Sequence, residues 1–349
     1  MVGDRAIEHA ASSSSQVSRF ETGSLTTKEN QAALGQLSGK WIDRVRRARK
    51  LTRIVLDIDS SVNETYGRQE GSVYNGHFGC TCNLLLFCFN QIGDIEGAML
   101  WEGNVQSAKN WKTGLERIIG RCRDSDVVLL FRGDAAFADP CIHECLELDR
   151  YRYAIRLPAN DAFWREIEQL LVRPAGRPPK APIVRYHDVK YQGAGCSQAR
   201  RKVAEMERYR GELFPRVGSI VTNLTMRAKN VVHFYNQRRT VEQWIKERKN
   251  TVKWTRIYCY DFADNAVRRL PLALAYNLGN FLRQLALPKP IRHWTMTTLR
   301  NKLIKIGAKV VSHARYTVFQ MAEVAVPQAL LRAILGRIDQ IGEAVASTA

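Results

Sequence analysis

The chain has 349 residues, 45% of them hydrophobic, and 53 Lys and Arg against 34 Asp and Glu leave a formal net charge of +19. This excludes a disordered chain, allows one large domain or two ordinary ones, and points to a polyanionic partner. There is no run of roughly 18 apolar residues to cross a bilayer, the amino end MVGDRAIEHAASSSSQ lacks the apolar centre of a secretory signal, and the basic residues are spread along the whole chain, so nucleic acid fits better than a membrane face and a cytoplasmic location is expected.

Residues 1–25 are Ser-rich and read as poorly ordered. The stretch TTKENQAALGQLSGKWIDRV then sets Leu34, Leu37, Trp41, Ile42 and Val45 on one helical face, with Thr26 and Glu29 at the spacing of a capping box. RVRRARK, five basic residues in seven, follows as a solvated linker and a phosphate contact of low specificity. Residues 1–50 are thus expected to form a partly disordered, partly helical N-terminal segment.

From residue 52 the pattern changes to short β-type runs: RIVLDID, SVYNGHFGCTCNLLLFCFNQI and IEGAMLWEG. SAKNWKTGLERIIGRCR predicts a helix with Trp111, Leu115, Ile118, Ile119 and Cys122 on one face, and DVVLLFRGD a buried strand ending at Asp134. A helix near 138–150 and a strand, RYAIRLP, ending at Pro158 complete the series. Strand, strand, strand, helix, strand, helix, strand describes an α/β mixed sheet flanked by helices, the ribonuclease H-like arrangement, over residues 51–160. Residues 161–232 hold a short helix, the turn-forming RPAGRPPKAP and three β-like runs, VRYHDVKYQ, RKVAEMERY and RVGSIVTNL, which read as a β-rich insertion. Residues 233–287 complete the core: after Glu242 the chain turns helical, with Ala266, Leu270, Ala273, Leu274, Asn277, Leu278, Phe281 and Leu285 at helical spacing and Pro271 starting or kinking that helix. Residues 288–349 are expected to be a helical C-terminal region.

The eight cysteines fit a reducing compartment. Cys80 and Cys82 near His77, and Cys141 and Cys145 around His143, do not follow zinc-site spacing, and core thiols are the expectation.

Three acids carry the chemical reading. Asp57 and Asp59 close a buried strand in IVLDIDSS, and their even spacing sends both side chains to one face. Asp134 closes another strand. A lone acid at a strand end commonly caps the next helix; two on neighbouring strand ends repel unless their charge is compensated, and oxygen donors of this kind suit Mg²⁺ or Mn²⁺. Two such ions can activate the attacking oxygen and stabilise the leaving oxygen of a displacement at phosphorus. Glu242, in the basic stretch YNQRRTVEQWIKERK, is the candidate third acid. On one helix, Arg238, Glu242, Lys246 and Lys249 share a face with Tyr235; Thr240 and Gln243 also form a capping-box spacing that would start the helix at 240 and leave Tyr235 and Arg238 on the preceding loop.

LDIDSS, FRGDAAFA and YNQRRTVEQWIKERK resemble the three catalytic segments of DDE transposases of bacterial insertion sequences, the last through the Y-x2-R-x3-E-x6-K pattern at Tyr235, Arg238, Glu242 and Lys249. EGSVYNGHFGCTC, YAIRLPAN, VGSIVTNL, LAYNLGNF and LIKIGAKVVSH are similar to the insertion sequence 1380 family, over residues 15–325. The resemblance implies a ribonuclease H-like core, a metal-binding triad of Asp59, Asp134 and Glu242 with Asp57 the rival for first place, and as partners double-stranded DNA, namely transposon inverted repeats and target, engaged by a homodimer. Asp59 is preferred because it is followed directly by Ser60 and Ser61, like the family's D-S-T pattern. Tyr235, Arg238 and Lys249 would then hold the DNA end, with Lys246 beside them. The chain departs from that family at Arg239 and Arg248, where relatives usually carry glycine, at Pro271, and in beginning late. A truncated DNA-binding remnant that inhibits full-length relatives and a ribonuclease H-like nuclease without strand transfer are the alternative functions.

Overall fold

The structure, a computed structural model, describes residues 12–104, 111–123, 127–173, 175–176, 179–193, 195–251, 259–313, 316–321 and 326–346. The chain separates into two compact units: one takes the described residues of 35–243 and 258–266, the other those of 1–34, 244–257 and 267–349.

Residues expected to be poorly ordered include α1 (Ser14–Arg19), whose N-cap Ser13 forms a reciprocal capping box with Gln16; residues 1–11 lie outside the described ones. In α2 (Lys28–Ala48) the capping oxygen comes from Thr27, which accepts from Asn30 N at 3.2 Å. Thr26, expected in that role, instead donates its hydroxyl to Thr22 O at 2.9 Å, because the preceding turn already runs in helical form. The basic stretch expected to be a solvated linker forms the last turn of α2 as far as Ala48. Arg46 reaches Glu96, which is fully buried, and Arg121 pairs with both Glu96 and Asp43.

The larger unit is built on one nine-stranded sheet. β1 (Arg53–Glu64), β2 (Val73–Asn75), β3 (Cys80–Asn90) and β4 (Ile95–Glu102) come first, then α3 (Trp111–Arg123), β5 (Val128–Gly133), α4 (Pro140–Leu148) and β6 (Arg152–Leu157). α5 (Asp161–Glu166) and α6 (Glu168–Leu171) lead into β7 (Ile183–Tyr191), β8 (Arg200–Arg208) and β9 (Arg216–Thr222). The spatial order is β2-β3-β1-β5-β6-β9-β8-β7, with β4 also pairing with β3. β1, β5 and β6 are parallel, and every other pairing is antiparallel. The fold is therefore mixed α/β. The three strands of 161–232 extend this sheet edge to edge through β9 on β6.

Both faces are covered, as alternation along the strands requires. Ile54, Leu56 and Ile58 of β1 point to the face packed by Leu115, Ile118 and Ile119 of α3 and by Ile142 and Leu146 of α4. Val55 points to the other face with Leu130, Ala154 and Val203, where α7 (Ala228–Asn236) supplies Val231, Val232 and Tyr235. Asp57 and Asp59 share the parity of Val55, and so lie on the α7 face. Polar residues belong in such a place only if partnered.

Then come α8 (Arg239–Thr251), α9 (Phe262–Phe281), α10 (Met296–Leu299), β10 (Ala308–His313), β11 (Tyr316–Met321) and α11 (Gln328–Ala346). Pro271 sits inside α9 and does not end it. The region expected to be helical from residue 288 onward also contains an antiparallel hairpin, in which Val310 pairs with Phe319 and Val311 with Val318. β-Branched and aromatic residues favour the pleated form there. Among the described residues, no helix is long and apolar enough to cross a membrane.

Candidate active site

The parallel ladder of β1 and β5 places Arg53 opposite Val128 and ends with Asp57 opposite Arg132. β1 then runs on to Glu64, whereas β5 stops at Gly133. Asp57 and Asp59, expected to close their strand, lie inside β1, which stays paired to β3 as far as Glu64; Asp59 and Asp134 each stand two residues past the last β1–β5 pair, Asp134 just after its strand ends. The carboxyl ends of strands are where open α/β sheets gather ligands.

Asp57 and Asp59 have different environments. Asp57 is fully buried and holds the Arg132 guanidinium through two contacts, 2.6 Å from Nε and 2.5 Å from Nη2. The remaining Nη1 of Arg132 donates to Phe234 O of α7 at 2.7 Å, and the guanidinium lies 4.9 Å from the Phe234 ring centre. Arg132, which the sequence reading passed over, thus ties both central strands to α7. A lone Arg in a strand carries no signal until the register shows what faces it.

Asp59 is partly open, its side chain 15% exposed, and Asp134 more so at 32%. Arg238 Nη2 donates to Asp59 Oδ1 at 2.9 Å, to Ile58 O at 2.8 Å and to Asp134 Oδ2 at 3.4 Å. The other oxygen of Asp134 caps the short turn Ala135–Phe137, accepting from Ala136 N at 3.0 Å. Burial pushes the Asp59 carboxyl above its ordinary range, Arg238 opposes the shift and Asp134 adds to it. Asp57 is also raised by burial, against the pull of Arg132.

Arg238 lies at the junction of α7 and α8 rather than inside one continuous helix. Its N–H donates to Tyr235 O at 2.9 Å, and Val241 N donates to its carbonyl at the same distance. Thr240 does not cap α8; its hydroxyl turns back to Gln237 O. Tyr235 is 7% exposed and packs in the core cluster with Val231 and Val232 of α7. Burial raises the Tyr235 phenol, with Arg238 and Arg156 pulling the other way.

Glu242 stands exposed in the first turn of α8. The structure thus brings Asp59 and Asp134 together through Arg238 and leaves Glu242 apart: among the described residues, no three His, Cys, Asp or Glu side chains group closely enough to hold a metal ion. Lys246, Arg248 and Lys249 belong to α8, and their side chains lie outside the described ones.

Cys82, Cys88 and Cys122 are buried free thiols. His143 is buried, stacks on Tyr153 at 5.3 Å, and finds no hydrogen-bond partner among the described residues for either ring nitrogen. Burial, helped by Arg200 of β8, lowers it to about 4, against Glu147, Asp139 and Glu144 along α4. A base held neutral in this way favours the folded chain above its unfolded value near 6.5 and loses that advantage as pH falls toward 4. His143→Phe keeps the stack and is expected to remove up to about 3 kcal/mol of acid sensitivity between those limits. Urea titrations of both proteins at pH 4.5 and 7 measure it; an unchanged pH dependence would contradict the assignment.

Over residues 1–343 the chain matches the family described as transposase DDE domain group 1. No curated protein matches it. Two solved structures are similar to parts of it. The piggyBac transposase synaptic complex with hairpin DNA shares 14% identity over 65% of this chain and 44% of that one, with a TM-score of 0.37. Marinitoga piezophila Argonaute, in complex with 5′ OH guide RNA and target DNA, shares 10% over 52% of this chain and 25% of that one, with a TM-score of 0.24. The chain therefore spans less than half the length of either.

Proposed function

The chain belongs to the transposase DDE domain group 1 family, and from that premise we propose that it cuts a phosphodiester at the ends of a bacterial insertion sequence, of the 1380 type, and joins the freed 3′-hydroxyl to target DNA. The observation that carries this reading is the pair Asp59 and Asp134, set just past the last β1–β5 pair on adjacent strands and sharing one guanidinium nitrogen. The order β4-β3-β1-β5-β6, in which β3 alone runs against its neighbours, supports a ribonuclease H-like core.

The donors fit a hard divalent cation, since carboxylate oxygens suit Mg²⁺ or Mn²⁺. Asp59 and Asp134 would hold it, with Glu242 as the third acid; Asp57 is already committed to Arg132. When bound, two such ions activate the attacking oxygen and stabilise the leaving oxygen of an in-line displacement at phosphorus. The chain's own groups do the positioning. Asp134 is held by its turn and Asp59 by its strand, so neither acid needs to be ordered at the moment of reaction. Glu242 sits one turn past Arg238, on the first turn of α8. Lys246 and Lys249, further along α8, would hold phosphates of double-stranded DNA, inverted repeats first and target later. A homodimer would hold two ends together.

The test is product analysis. With Mg²⁺, a labelled duplex carrying the element's end and a supercoiled target, the chain is expected to give both a nicked end and a joined product. Nicking without joining would make it a nuclease, and neither product, with the duplex bound, would make it a DNA-binding remnant.

A further inference from the structure

Arg238 and Arg132 sit side by side at the ends of the central strands, and they are satisfied in different ways. Arg132 uses Nε and Nη2 as a fork on Asp57 and spends Nη1 on Phe234 O. Arg238 puts a single nitrogen, Nη2, against three oxygens: Ile58 O, Asp59 Oδ1 and Asp134 Oδ2. That nitrogen has two hydrogens, so three acceptors over-subscribe it. Its Nε, meanwhile, is buried with no hydrogen-bond partner among the described residues. A guanidinium chosen only to make hydrogen bonds would present its fork. Arg238 presents a point of positive charge between two carboxylates.

We propose that Arg238 is a built-in counter-ion, which takes the place between Asp59 and Asp134 that a divalent cation takes when the site is loaded; this rests on the reading of those acids as the metal ligands. The two occupants exclude one another. A Mg²⁺ needs its oxygens at about 2.1 Å, and a guanidinium nitrogen held at 2.9 Å from Asp59 Oδ1 leaves no room for it and repels it. Without either, the two acids would face each other uncompensated.

The under-satisfied state of Arg238 gives it somewhere better to go. A phosphate offers the bidentate oxygens that its present place lacks, and would leave Nε no longer unpartnered. Arg238 also lies at the α7–α8 junction, where the backbone bonds span three residues and not a regular helical turn. DNA that draws Arg238 onto a phosphate frees the acids for the cation, and by linkage the cation frees Arg238 for the DNA. The device keeps the site from holding a reactive cation before its substrate arrives.

The experiment is Mn²⁺ binding by the full, DNA-free chain, followed by electron paramagnetic resonance. Arg238→Gln is expected to bind Mn²⁺ at least tenfold more tightly than the unaltered chain, and Asp59→Asn in that background to abolish the gain. Arg238→Lys, which keeps a charge on a flexible stem, is expected to stay near the unaltered value. Unchanged or weaker Mn²⁺ binding by folded Arg238→Gln overturns the counter-ion. If the unaltered chain already binds Mn²⁺ tightly through Asp59, the acids are ligands and only the counter-ion fails. If a gain in Arg238→Gln survives Asp59→Asn, or no variant binds Mn²⁺ at all, the reading of the acids fails as well. Should Arg238→Gln not fold, a Mn²⁺-soaked crystal of the unaltered chain decides: the guanidinium is expected beyond hydrogen-bond distance of both acids, and a cation and Arg238 seated there together would overturn the proposal.

Discussion

Glu242→Gln is expected to abolish strand cleavage, lowering the rate at least about 10²-fold, while leaving folding and DNA binding nearly intact. The carboxylate is exposed in the first turn of α8. An exposed substitution of this kind changes stability by no more than about 0.5 kcal/mol, so any lost activity belongs to the chemistry and not to the fold. Asp134→Asn is the matching change on the sheet. Asparagine keeps an oxygen to accept from Ala136 N, so the Ala135–Phe137 turn survives. What is lost is the charge on the side that faces Arg238. Cleavage of a labelled duplex in Mg²⁺, beside a gel-shift of the same duplex, separates catalysis from binding. Full cleavage by both variants would remove the two acids from the reaction.

Arg132→Met is expected to be the most destabilising single change near the site, costing about 3–5 kcal/mol, because it strands the Asp57 carboxylate with no counter-charge. Asp57 is fully buried, and the Arg132 side chain is 5% exposed. The loss reaches beyond the pair, since the same guanidinium bonds Phe234 O and so anchors the helix that leads to Arg238. Combining Arg132→Met with Asp57→Leu is expected to recover most of the stability, as a buried pair replaced by apolar groups of similar volume is often neutral or better. Urea unfolding of the two single variants and the double measures the coupling. Additive losses would mean that the two side chains do not depend on each other.

Much of the sheet could be read along the chain. The runs RIVLDID, DVVLLFRGD and RYAIRLP become β1, β5 and β6, and the three β-type runs before Glu242 become β7, β8 and β9. Period-two patterns and bounding turn residues are local, and local signals survive folding here. The β10–β11 hairpin lies where a helical region is expected: the β-branched Val310, Val311, Thr317 and Val318 favour strands, against the helical spacing upstream of them. Thr27 rather than Thr26 caps α2 for a similar reason: two adjacent threonines look alike until the preceding turn takes one of them.

Of the site, the sequence by itself determined that acids stand on one buried strand and at the end of another, and that a basic helix with one more acid follows. It could not say which of Asp57 and Asp59 is paired with a buried arginine, nor that the arginine is Arg132. Those answers came from pairing residues 75 apart, where the parallel register sets Arg132 against Asp57 and leaves Asp59 to meet Asp134 past the last pair. Spacing within a strand fixes which face a side chain takes; only the strand laid beside it fixes the charge that side chain meets.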